Sequence, residues 1–155
     1  MMEHELIMRF LAEPGDVNFG GKVHGGAVMK WIDQAGYACA VNWCGGYAVT
    51  VYVGGIQFLS PIHIGNMVEL HAKLIHTGNT SMHIAVDVYS RKLQEDIQVH
   101  NTHCVIIFVS LDENGESTPV KQFVPENDDQ KAMQSYAIRL MDLRKNIGRE
   151  MGLRS

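Results

Sequence analysis

The sequence predicts an α+β fold in which one antiparallel sheet wraps around a long central helix. Three observations predict it. The stretch from Ala27 to about Cys44 has helical periodicity and is apolar and rich in small residues. Four later stretches between Ala48 and Leu111 read as strands, each separated from the next by turn residues. The helices are set apart from these strands instead of alternating with them, which favours an α+β layer arrangement over a parallel βαβ sheet.

The elements follow in order. Leu6 to Leu11 is a short apolar run that suits a strand. Pro14 to Gly26 is a loop carrying Gly15, Gly20, Gly21, Gly25 and Gly26. In the helix, Val28, Trp31, Ile32, Ala35, Ala38, Cys39 and Val41 recur at spacings of three and four, and Gly45-Gly46 stops it. Its Ala27, Ala35, Gly36, Ala38 and Ala40 allow a close approach to a curved sheet. Ala48 to Leu59 is rich in Val, Tyr, Ile and Phe, and Gly54-Gly55 marks a bulge or bend. Val68 to Leu74 and Met82 to Val88 alternate apolar and polar residues. Val99 to Leu111 is the longest strand, and Val105 to Val109 is apolar on both faces, as in a strand covered from two sides. Asp128 to Arg149 reads as an amphipathic helix with Met133, Tyr136, Ala137, Leu140 and Ile147 on one face. The expected organisation is one domain over 1–125 and a helical extension over 126–155, packed on the domain or on a neighbouring subunit.

Composition narrows the function. The chain has 155 residues, 46% hydrophobic and 19% charged, which fits one globular domain and excludes wholesale disorder. Lys and Arg number 13 against 17 Asp and Glu, a net charge of −4, so no basic field for nucleic acid exists. No apolar stretch is long enough for a membrane span, and the N-terminus lacks a signal-peptide pattern. A cytoplasmic protein is expected. Three cysteines, Cys39, Cys44 and Cys104, have no metal-ligand spacing and are read as buried free thiols.

The chemistry-bearing residues concentrate in one segment. No nucleophile elbow, HExxH pair or P-loop is present. His100 and His103 would point to opposite faces of a strand, which excludes joint chelation, and His71, His76 and His83 fall on polar sides of strands as surface or interface residues. No metal is expected. Gly25 and Gly26 stand where the helix begins, where unpaired amides and the positive dipole end face outward. They suit an oxyanion hole, and they equally suit a tight turn. Asp33 lies on a helix face shared with Gly26, Met29, Gly36, Tyr37 and Ala40. Asp is a poor interior helix residue, so it either reaches solvent or has a chemical role.

The run Pro14-Gly15-Asp16-Val17-Asn18-Phe19-Gly20-Gly21-Lys22-Val23-His24-Gly25-Gly26 with Trp31-Ile32-Asp33 resembles the hot-dog-fold acyl-CoA thioesterases. It is most similar to the bacterial short- and medium-chain acyl-CoA hydrolases and the brain-type cytosolic ones. Val49-Thr50-Val51, Ile56 to Gly65, Gly78 to Met82 and Val86 to Tyr89 extend the match to about residues 5–124. The resemblance implies a hot-dog fold, a homodimer as minimal unit with sheets joined edge to edge, and often a homohexamer. It places the catalytic carboxylate on Asp33, the loop asparagine on Asn18 and the oxyanion amides on Gly25 or Gly26. His24, Thr50, Thr80, Ser81, Arg91 and Lys92 become candidates for substrate or coenzyme A contacts. His24, Gly54 and Asn66 depart from the pattern, where Phe and acidic residues are common.

The activity so implied is hydrolysis of an acyl-CoA thioester to a carboxylic acid and coenzyme A, as in fatty acid metabolism. It needs no cofactor, since coenzyme A belongs to the substrate. A weakly catalytic acyl-CoA-binding protein and a hot-dog hydratase or dehydratase are the alternatives. Gly25 and Asp33 are separated by a rise of about 12 Å along the helix. Both must come within about 3 Å of one carbonyl group, so the site is expected to use two helices from two chains.

Overall fold

The computed structural model describes residues 3–152. Its elements are β1 (Glu5–Leu11), α1 (Gly25–Cys44), β2 (Tyr47–Phe58), β3 (Met67–Thr77), β4 (Ser81–Arg91), β5 (Val99–Leu111) and α2 (Asp128–Glu150), with a short 3-10 turn at Pro14–Asp16. The five strands form one sheet in the order β1-β3-β4-β5-β2, antiparallel at every junction. β1 and β2 are therefore its free edges.

The sheet curls around α1 because α1 buries a continuous face of mixed large and small residues. Trp31, Ile32, Ala35, Cys39, Ala40 and Trp43 pack against Leu70, Leu74, Met82, Ile84, Ile106 and Phe108. At Gly36 the helix comes so near β5 that a Cβ there would lie 2.9 Å from Ile106 Cγ2 and Phe108 Cε2. The small residues thus set the distance of the helix from the sheet. Gly45, at φ +71°, ends the helix in a left-handed cap whose N–H donates to Val41 O at 2.8 Å. The helix begins two residues earlier than its periodicity predicts, because Gly25 and Gly26 already form its first turn.

α2 lies on the opposite face of the sheet. Asn127 caps it, its side chain accepting from the Gln130 amide at 2.8 Å. Met133, Tyr136, Ala137 and Leu140 pack on Ile75, Ala85 and Val105. This second layer is why Val105 to Phe108 is buried on both faces, as the continuous apolar run predicts. Ile147, placed by the periodicity on the same apolar face, is 54% exposed instead.

Two histidine readings are corrected. His100 Nε2 and His103 Nδ1 both approach Asp87 Oδ1, at 2.9 and 2.8 Å, so they share a face. The simple alternation fails because the β4–β5 register passes from Val88↔Thr102 to Tyr89↔His100, leaving Asn101 as an extra residue. His83 is not a surface residue. It is only 2% exposed, since α2 covers it. Of the cysteines, Cys39 and Cys104 are buried and Cys44 is half-buried.

Candidate active site

The loop before α1 is built around Asn18. Its Oδ1 accepts the amides of Gly20 at 2.9 Å and Lys22 at 3.2 Å, and its own N–H donates to Lys22 O at 2.7 Å. Gly21 closes the turn at φ +75°, a conformation that favours glycine. The side-chain oxygen of Asn18 is thereby committed to the loop. Its amide NH2 has no partner among the described residues, so it remains a donor toward the exterior.

The loop delivers the chain to the N-terminus of α1. The His24 N–H donates to Asp16 O at 2.8 Å, which sets the entry, and His24 is the N-cap without a side-chain cap bond. The Gly25 and Gly26 amides consequently have no hydrogen-bond acceptor among the described residues. Both glycines are exposed. Phe58, at the end of β2, lies beside Gly25, its ring 3.5 Å from where a Cβ would stand. Sequence reading did not single out Phe58, since its neighbour lies far away along the chain.

Two turns along α1, Asp33 is exposed and accepts a hydrogen bond from Thr50 Oγ1 at 2.6 Å. Thr50 thus holds the carboxylate of Asp33, a contact the spacing along one chain does not reveal. One Asp33 oxygen is oriented by this bond, and the other is free for a water or substrate. Met29, Ile32, Val53, Ile56 and Ile106, with Gly26, Lys30 and Asp33, line a depression of about 340 Å³. An anion-seeking helix start, a fixed carboxylate and an apolar recess therefore lie on one surface.

The remaining candidates do not converge. Thr80 and Ser81 stand at the first end of β4, and Arg91 and Lys92 at its other end. The strand between them spans roughly 33 Å at the usual rise per residue. Ser81 also turns away from α1, because Met82 beside it faces the core. The Arg91 guanidinium is occupied by the carbonyls of Lys92, Leu93 and Glu95 at 3.2 to 3.4 Å, bracing the loop after β4. Lys92 is exposed. Among the described residues, no set of three His, Cys, Asp or Glu side chains is placed to hold a metal ion. Among the described residues, no helix is long and apolar enough to cross a membrane.

A long helix cradled by a five-stranded antiparallel sheet is the hot-dog architecture of thioesterases. Comparison with known proteins agrees: residues 20–97 match the Thioesterase superfamily model, and the chain belongs to that superfamily. The acyl-CoA thioester hydrolase YciA of Salmonella typhimurium is 33% identical over 119 residues, covering 75% of this chain and 90% of that one. The fold superposes on an apo hexameric acyl-CoA thioesterase with a TM-score of 0.89 at 29% identity, covering 94% and 93% of the two chains. It likewise superposes on an acyl-CoA hydrolase from Staphylococcus aureus solved with butyryl coenzyme A, with a TM-score of 0.88 at 25% identity, covering 97% and 92%. The matched segment includes Gly25, Gly26 and Asp33, whereas Asn18 precedes it.

Proposed function

We propose that this protein hydrolyses acyl-CoA thioesters to free acid and coenzyme A, at a site shared by two copies of the chain. The observation that carries the reading is the pair of acceptor-free amides at Gly25 and Gly26 on the same helix as an exposed, Thr50-held Asp33. Relatives of similar length carry the acyl-CoA hydrolase name, and one is solved with an acyl-CoA bound. The amides polarise the thioester carbonyl and stabilise the oxyanion as it forms. Asp33 of the partner subunit takes a proton from water that attacks the carbonyl carbon, or attacks it directly to give an anhydride that water then cleaves. The carbon–sulfur bond breaks, and coenzyme A leaves as thiolate and takes up the proton. Asn18 offers its amide NH2 to the thioester or the water. The apolar recess beside Asp33 receives an aliphatic acyl chain, as in fatty acid metabolism.

Two features support a shared site. Gly25 and Asp33 are about 12 Å apart along one helix, too far to serve one carbonyl. β2 is also a free edge with exposed Val51 and Val53, a surface that requires covering. A two-fold pairing of β2 with its copy brings the start of one α1 toward the Asp33 of the other. Hexameric neighbours favour further assembly of such dimers. His24, at the α1 entrance, and the exposed Lys92 are assigned to coenzyme A contacts, while Arg91 braces the loop that carries Lys92. Thr80 and Ser81, at the far end of the sheet, contribute only if another copy presents them. We place the activity in the cytoplasm, in keeping with three unpaired cysteines.

Mixing two inactive variants tests the reading. Asp33→Ala removes the carboxylate. Gly25→Pro removes one amide donor at the first helical position, where proline is tolerated. His24, at φ −59° and ψ 140°, already has a backbone that suits a residue before proline. Mixed dimers contain one site with both lesions and one with neither, so random exchange restores roughly a quarter of all sites. Thiol release from acyl-CoA should recover to about that level. If both variants fold and exchange yet stay inactive together, the two groups do not meet across the interface.

A further inference from the structure

The second half of α2 outruns the sheet it rests on. The helix crosses the outer face from β3 toward β2: Gln134 reaches His76 on β3, Tyr136 reaches His103 on β5, and the Arg144 guanidinium stacks over the Tyr52 ring on the edge strand, 5.0 Å from its centroid. From Arg144 to Met151 the chain runs on for about 10 Å, up to two strand spacings beyond the edge. The stripe that faces the sheet runs on with it. Ile147 and Met151 lie seven and eleven residues after Leu140, each within about 20° of its direction around the helix. Yet Leu140 packs on the sheet, whereas Ile147 is 54% and Met151 65% exposed. Leu143, flanking the stripe, is 56% exposed. The apolar face has not ended; the sheet beneath it has.

From this continuity we infer that the overhanging end of α2, centred on Ile147 and Met151, docks on the outer sheet face of a second copy of this chain. The inference rests on the edge-to-edge pairing through β2 proposed above. A sheet continued across β2 supplies the surface that the stripe lacks, namely the neighbouring copy's β2 and the strand behind it. Two-fold symmetry makes the contact reciprocal, so each α2 clamps the opposite subunit. α2 is thus a strap across the dimer seam on the face away from α1, and it need not touch the substrate.

Ile147→Glu tests the strap, with Ile138→Glu as control. Ile138 is also exposed but lies nearly opposite the stripe. Sedimentation across a dilution series should show Ile147→Glu raising the dimer dissociation constant at least about tenfold, while the control matches wild type. A photoreactive benzophenone side chain at position 147, in a mixture of light- and heavy-isotope chains, should link one chain to residues 47–58 or 99–111 of the other. Links only within one chain, or only to other segments, overturn the inference. So does a wild-type dimer whose dissociation is unmoved by Ile147→Glu. A wild-type chain that is monomeric and fully active overturns the shared site as well, so the two failures are distinguishable.

Discussion

Acidification will destabilise this protein through His83. The side chain is 2% exposed, beneath α2, and is faced by His76 from β3, by Arg144, Leu140 and Met141 from α2, and by Tyr52 and Ile107 from β2 and β5. Burial pushes its pKa down to about 4, and the nearby His76 and Arg144 charges add to the shift. An unfolded chain takes up this proton near the ordinary value of 6.5. Between these values the unfolded state binds more protons than the folded one, so stability falls as pH falls. The loss is absent above about pH 7.5 and reaches roughly 2 kcal/mol by about pH 5. The assay is urea denaturation of wild type and His83→Leu at fixed protein concentration, from about pH 8 to pH 5. His83→Leu should keep most of that stability across the window. Asp87 is a separate contributor: burial raises its pKa, but bonds and charges from His103 and His100 outweigh that and hold it below the usual range, so its effect comes at lower pH. If wild type and His83→Leu lose equal stability between about pH 7.5 and 5, His83 is not a buried neutral group and the reasoning fails.

Other expected outcomes follow from single contacts. Asp33→Asn should lower kcat for acyl-CoA hydrolysis at least about 100-fold with the melting temperature little changed, because Asp33 is exposed and its one side-chain bond is to Thr50; near-normal turnover would sink the catalytic assignment. Gly36→Ala should destabilise by about 1–3 kcal/mol in urea titration, despite the better helix propensity of alanine, since the new Cβ meets the fully buried Ile106 and Phe108 at 2.9 Å. In the native protein Cys44 should react first with an aromatic disulfide reagent. Burial raises the Cys39 thiol to about 12 and the Cys104 thiol to about 11, so both should react only on unfolding, as the count of released thiolate will show.

The local elements and the residue types of the site are written in the order of amino acids. Helical spacing from Val28 to Val41, strand alternation around β3 and β4, and the double-sided apolar run of β5 are consequences of nearest-neighbour geometry, so they are legible without a fold. The glycines at the start of α1 and the carboxylate within it were legible for the same reason, and the run from Pro14 to Asp33 also carried the family resemblance. Tertiary structure decided what depends on distance across the chain. Thr50 reaches Asp33 only because β2 closes the sheet beside α1. His100 and His103 share Asp87 only because one extra residue in β5 reverses the alternation. His83 is buried only because a helix some fifty residues later in the chain lies over it. The periodicity of α2 marked Ile147 as apolar-facing, but whether anything lies beneath it depends on where the sheet ends. A side chain's direction follows from local backbone geometry, whereas its burial and partners depend on which distant strands are brought alongside it.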